Sequence, residues 1–230
     1  MSRGGGLPLL SDVPSSSSTR LLRLAARDGA TVPAHATSFG ADELVALAKA
    51  RDPRAAAQIW DQYAAPVRGV LRRTIGPDAE LDDLVQEVFV GFFRNVGSLR
   101  DPSALGSFLT GIAIRTARAA LRKRRVRRWL HLTAAGDVPE MADASTDPRA
   151  REAVRRLYAV LDELGARERL AFVLRYGEEY ELTEVAAALE CSLATAKRSI
   201  AQAEAHVLAR ARADAHLARY VPDGGDDEVR

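Results

Sequence analysis

The side chains of this chain best placed to do chemistry are cations. No acidic residue lies between Asp101 and Asp137, and within residues 114–128, IRTARAALRKRRVRR, Arg115, Arg118 and Arg122 recur at three- and four-residue spacing, Arg122 opening the RKRRVRR end. A row of guanidinium and ammonium groups does ionic chemistry. It neutralises phosphates and releases their counterions, so its attraction falls steeply with salt. Bond-making chemistry has no such foothold: no nucleophile is paired with a base, and Gly4 to Gly6 follow no strand that would make them a phosphate loop. His35, His131, His206 and His216 are scattered without ligand spacing, so no metal or other cofactor is expected. Cys191 is the only cysteine, which excludes an intrachain disulfide. The chain reads as a binding protein and not an enzyme.

The elements that must position these groups are helices. In residues 81–94, LDDLVQEVFVGFFR, the large apolar residues Leu81, Leu84, Val85, Val88, Phe89, Phe92 and Phe93 keep the spacing of one helical face. Asp82, Asp83, Gln86, Glu87 and Arg94 make the opposite face. The cationic run belongs to a helix from Phe108 to about Leu130 with Leu109, Ile112, Ala113, Thr116, Ala117, Ala120 and Leu121 inward. Ahead of these, ADELVALAKA at 41–50 is a helix with acids in its first turn, Pro53 opens another through Ile59, Trp60 and Tyr63, and Pro66 is expected to open or kink a continuation to Ile75. Gly76, Pro77 and Asp78 form a turn.

Further on, Val154, Leu157, Val160, Leu161 and Leu164, then Leu170, Phe172, Val173 and Leu174, again keep helical spacing. LTEVAAAL at 182–189 is a short helix, Glu190, Cys191 and Ser192 a turn, and Ala194 starts a long helix with Ala196, Ile200, Ala203 and Val207 inward. A short helix, a tight turn and a second helix fit a helix-turn-helix, whose second helix enters the major groove. Thr195, Lys197, Arg198 and Gln202 are its exposed early positions, able to reach base edges and phosphates.

With 230 residues, 47% hydrophobic and 6% aromatic, the chain suits an all-α fold of two small helical domains. Residues 1–40, with GGG and SSSST, read as a mostly disordered extension in which RLLRLAAR at 20–27 is a frayed segment, the less favoured alternative being a short basic amphipathic turn that docks on the body or becomes ordered on a partner. The first domain spans 41–130, a flexible acidic linker 131–148, the helix-turn-helix domain 149–215 and an acidic tail 216–230. The net charge of +2 conceals this segregation of acids from bases. No secretory signal and no apolar run long enough to span a bilayer is present, so no membrane insertion and a cytoplasmic location are expected.

DLVQEVF followed by an amphipathic helix ending in RKRR resembles region 2 of the sigma-70 family, and residues 182–204 resemble its region 4. The two-region form is that of the extracytoplasmic-function, or group IV, sigma factors, and the resemblance covers roughly residues 41–213. It implies a region 2 bundle and a region 4 helix-turn-helix that direct core RNA polymerase to promoter DNA. Asp83, Gln86 and Glu87 match the region that binds the clamp helices of the polymerase beta-prime subunit. Arg115, Thr116, Arg118, Arg122, Lys123 and Arg125 match the minus-ten reading region, and Thr195, Lys197, Arg198 and Gln202 the minus-thirty-five reading helix. An anti-sigma partner, common in the family, would cover the exposed faces of both domains in a closed, inactive arrangement. Asp137, Glu140 and Asp143 suit a linker that imitates nucleic-acid charge near the RNA exit channel.

Three departures stand out. Glu190 occupies a turn position that usually holds Gly and requires a left-handed backbone, and Ser199 and Glu204 stand where the family places arginines. Energetics favour dependence on a larger machine. Melting a dozen base pairs at about 1.4 kcal/mol per stacked step costs on the order of 15 kcal/mol, against roughly 1 to 3 kcal/mol per good base contact. A sigma-like decoy that titrates an anti-sigma factor has little need of the basic run at 115–128. A helix-turn-helix regulator acting without polymerase leaves DLVQEVF unexplained.

Overall fold

The computed structural model describes residues 16–25, 39–129 and 147–221. The linker expected at 131–148, up to its last two residues, lies outside the described residues, as do residues 222–230 of the expected tail. Among the described residues the regular elements are all helical: α1 Ser16–Ala25, α2 Ala41–Lys49, α3 Pro53–Ile75, α4 Leu81–Asn95, α5 Leu105–Trp129, α6 Pro148–Leu161, α7 Ala166–Tyr176, α8 Leu182–Ala188 and α9 Leu193–Ala213, with short 3-10 turns between α4 and α5 and after α9.

Helices α2 to α5 make the first domain. Asp52 caps α3 by accepting from the Arg54 amide at 2.8 Å, and Pro53 takes the first turn, where its missing N–H costs nothing. Pro66 lies inside α3 without ending it; it removes one ladder bond, while Ile59, Val67, Leu71 and Ile75 keep both halves on the same core. Asp82 and Asp83 sit in the first turn of α4, where they complement the helix dipole. That helix buries Val85, Val88, Phe89 and Phe92, with Phe92 edge-on to Phe93 and Phe108 at 5.0 and 6.1 Å. Helices α6 to α9 close around Leu157, Leu161, Leu170, Phe172, Val173, Val185, Ala196 and Val207.

The two domains meet in a polar seam built on the C-terminal end of α3, where helix carbonyls lack intrahelical partners. Arg169 of α7, 1% exposed, donates to the carbonyls of Thr74 and Ile75 and to Asp162. Arg124 of α5 donates to the Ile75 carbonyl at 2.8 Å and to Asp78 at 2.5 Å. The Tyr158 hydroxyl donates to the Arg72 carbonyl at 3.0 Å, and Arg73 pairs with Glu178. Gly76, at φ 88°, brings the chain against Tyr158, whose Cδ1 would stand 2.8 Å from an added Cβ.

Two expectations are corrected at the ends. The extension expected to be disordered over 1–40 contains α1, a helix that packs on α6, α7 and α9 because its adjacent Leu21 and Leu22 supply a fully buried apolar contact. The tail expected from residue 216 begins later. Asp214 accepts from the amides of His216 and Leu217 at 2.8 and 3.2 Å, and Leu217 and Val221 are buried.

Candidate docking face and nucleic-acid interface

The outward side of α4 carries Asp83, Gln86 and Glu87, all exposed and, among the described residues, without a hydrogen bond or ion pair. Their neighbour Asp82 differs: it is ion-paired with Arg68 of α3. Val90, 47% exposed, follows Gln86 and Glu87 one turn on, and Trp60 of α3, half-exposed, packs on Phe89 with ring centroids 4.6 Å apart. Three polar side chains flanked by two apolar ones form a surface suited to another protein, since it offers both hydrogen-bond partners and area to bury. The sequence reading missed Val90 and Trp60. Val90 was legible as the one large apolar residue on the polar side of the 81–94 pattern; Trp60 was not, because its place beside α4 is a tertiary fact.

Helix α5 packs on α3 and α4 and turns its cations two ways. Arg115, Arg122, Lys123 and Arg125 are exposed, and Arg118 is half-buried. Thr116 is 8% exposed. It takes the inward position that periodicity gave it, beneath the surface on which its minus-ten role was expected. Arg124 and Arg127, part of the same basic run, instead reach back to Asp78 and to Glu80, the latter at 3.3 Å. A helix with bases on several faces cannot present all of them outward, and the two that face acids of the α3–α4 connection are drawn inward.

In the second domain α8 and α9 form the helix-turn-helix. The Glu181 amide donates to the Glu184 carboxylate at 2.8 Å at the start of α8. Glu190 has φ 52°, the left-handed turn conformation anticipated for a family glycine. Ser192 caps α9, accepting from the Thr195 amide at 3.2 Å, with the two hydroxyl oxygens 2.8 Å apart. Thr195 is therefore half-buried against its own cap, while Lys197, Arg198 and Gln202 are exposed. Leu193, 42% exposed at the head of α9, was not among the expected contacts. Ser199 faces the core. Glu204 is half-buried and accepts from the Ser18 hydroxyl of α1 at 3.0 Å. Burial, and then the Glu204 carboxylate, push the Tyr176 hydroxyl well above the usual tyrosine range.

Residues 59–127 match the family model of sigma-70 region 2, and residues 154–207 that of sigma-70 region 4. The chain belongs to the sigma-70 family, in its extracytoplasmic-function group. Together the matched spans run from within α3 to α5 and from α6 into α9, so they hold both candidate surfaces. Among solved structures the fold is similar to that of CnrH in complex with the cytosolic domain of CnrY, with a TM-score of 0.54 and 23% identity, covering 76% of this chain and 100% of that one. No curated protein sequence matches the chain significantly. The partners of a sigma-70 protein are core RNA polymerase and promoter DNA, and the family comprises transcription regulators rather than enzymes. Among the described residues no helix is long and apolar enough to cross a membrane, and no group of His, Cys, Asp and Glu is placed to hold a metal ion.

Proposed function

We propose that this sigma-70 protein docks on core RNA polymerase through the outward face of α4 and reads promoters with both domains. The observation that carries the reading is the unpaired row Asp83, Gln86 and Glu87, with Val90 beside it, on a helix packed against the cationic α5. In this reading Arg115, Arg118, Arg122, Lys123 and Arg125 contact the minus-ten element, with Thr116 supporting the helix from beneath. Lys197, Arg198 and Gln202, with Thr195 at the helix start, contact the minus-thirty-five element. Polymerase binding supplies what these few contacts do not, the free energy to open the duplex.

The test is run-off transcription with core RNA polymerase on the upstream region of the protein's own gene and on genomic fragments, comparing wild type with Gln86→Ala/Glu87→Ala. Both substitutions lie on an exposed surface and should leave folding stability within about 0.5 kcal/mol of wild type. Promoter-dependent transcripts that disappear in the double variant are the expected result. No transcripts on any fragment, with binding to an anti-sigma factor intact, would overturn the reading in favour of a decoy.

A further inference from the structure

Helix α1 lies outside both matched family spans, yet it is built into the second domain. Leu21, Leu22 and Ser18 are fully buried, the Ser18 hydroxyl donates to Glu204 at 3.0 Å, and the helix touches α6, α7, α9 and the 3-10 turn Ala218–Tyr220. Glu204 is one of the departures from the family pattern: where an arginine is usual on the reading helix, this chain has the acceptor that anchors α1. The same helix reaches the seam between the domains. Gly177 follows α7 closely enough that an added Cβ would meet the Val173 carbonyl at 2.8 Å, Leu22 Cδ1 at 3.4 Å and Arg73 Cδ at 3.6 Å, so α1, α7 and α3 converge on one spot. Arg73 is the α3 side chain paired with Glu178.

Covalently, α1 belongs to the other side. The chain continues from Ala25 to Phe39 and into α2 of the first domain, a span of at most about 50 Å even fully extended. A helix attached to one domain and docked on the other is a strap across their seam. That matters for the reading proposed above, on which this inference rests in part. Minus-ten and minus-thirty-five elements lie about 25 base pairs apart, or about 85 Å of duplex. A closed body of this size, with a radius of gyration of about 16 Å, is roughly 40 Å across and does not bridge them. The seam must open, and α1 adds its buried leucines to what holds it shut.

We propose that α1 is an internal latch that holds the second domain against the first, doing from within the chain what a separate inhibitory partner would do from outside. Its release shifts the protein to an open, promoter-competent arrangement.

The test measures the distance between domains in the full-length protein without polymerase, by electron paramagnetic resonance of spin labels on native Cys191 and on a cysteine introduced by Ala119→Cys on the exposed side of α5. The otherwise wild-type chain should give one short, narrow distribution, and Leu21→Asp/Leu22→Asp a longer and broader one, which adding a free peptide of the sequence SSSTRLLRLA does not restore because the peptide is not attached to the first domain. In case the charged variant fails to fold, a protease site inserted within residues 26–38 lets the connection between α1 and α2 be cut after folding, with the same widening expected on cutting. An unchanged distribution in the folded variant or in the cut protein overturns the latch. Run-off transcription separates this outcome from the promoter reading. Widening without transcripts refutes promoter recognition and leaves the latch, whereas transcripts with an unchanged distance refute the latch and leave promoter recognition.

Discussion

In the first domain Asp83, Gln86 and Glu87 on α4 and Arg115, Arg122 and Lys123 on α5 face solvent without partners among the described residues, whereas the second domain commits most of its charges internally. Glu152 holds Arg155 and Arg156 at 2.7 Å, Glu163 holds Arg210 at 2.6 Å and His206 at 3.0 Å, and the buried Arg175 donates to the Tyr180 carbonyl at 2.9 Å. The reading helix of that domain is left with Lys197 and Arg198 as its exposed cations near the turn. Unpaired surface charge is available to a partner; paired charge holds a shape. On the function proposed above, the first domain supplies most of the attraction for polymerase and DNA. The second contributes position, and gains effective concentration from being tethered to the first.

The strongest test of this contrast is Arg169, a charge committed wholly to structure. Burial pushes its guanidinium below the usual arginine range and the Asp162 carboxylate opposes that shift, so the group persists because three acceptors surround it. Arg169→Ala leaves the Thr74 carbonyl without its side-chain donor, the Ile75 carbonyl with Arg124 alone, and Asp162 without its buried partner. Breaking a buried charge network costs about 3 to 5 kcal/mol, and the lower end applies here because Asp162 can turn to water. Chemical denaturation should register a loss of about 3 kcal/mol. A loss under about 1 kcal/mol would mean that the seam is incidental to stability.

Gly76→Ala probes the same seam from the backbone. The residue sits at φ 88°, and its new Cβ would meet Tyr158 Cδ1 at 2.8 Å. Left-handed strain and a clash with a ring that is itself bonded to the Arg72 carbonyl together cost about 2 kcal/mol. A lowered denaturation midpoint with an unchanged slope is the expected signature.

How far the sequence reveals this contrast depends on the range of the interaction. The periodicities at 81–94 and 194–207 place α4 and α9 on their cores, and the turn at Glu190 is anticipated down to its left-handed backbone. These are local facts, carried by residues three or four apart. The seam is not local: the Arg169 guanidinium meets the Ile75 carbonyl across 94 positions, and every helix ends in such carbonyls. Nothing in RKRR distinguishes Arg124, which turns to Asp78, from Arg122 and Lys123, which do not. Likewise RLLRLAAR holds three leucines, enough to raise docking as an alternative but too few to prefer it over a frayed segment until the surface that receives Leu21 and Leu22 is known.

A smaller effect comes from the paired surface of α6. The Glu152 carboxylate is held down to about 2 by its hydrogen bonds to Arg155 and then Arg156. Its folded value lies below its ordinary value of 4.5, so the stabilisation is fully present above about pH 4.5 and is lost as pH falls towards 2. Both arginines are about half exposed, and solvent screening limits the contribution to under about 1 kcal/mol. Glu152→Gln should therefore lower stability slightly at pH 7, with the gap to wild type closing across that acid window in a pH series of melting curves. A gap that persists at pH 2 would mean that the carboxylate acts through packing and not charge.

The least effect on folding is expected from Arg122→Ala/Lys123→Ala, and that is what makes the pair informative. Neither side chain has a partner among the described residues, so stability should stay within about 0.5 kcal/mol. Binding of the polymerase complex to promoter DNA should respond instead: losing two phosphate contacts lowers the salt slope of log affinity by about 2, uniformly across sequences. Lys197→Ala/Arg198→Ala on α9 is the control that sharpens the comparison. If those two exposed cations of the second domain carried as much of the salt slope as Arg122 and Lys123, the asymmetry between the domains would be one of structure alone and not of DNA attraction. A smaller change from α9 than from α5 is expected, because α5 presents its cations as a continuous stripe while the reading helix carries Glu204 two residues beyond Gln202. That carboxylate, anchoring α1, also weakens the local attraction for phosphate.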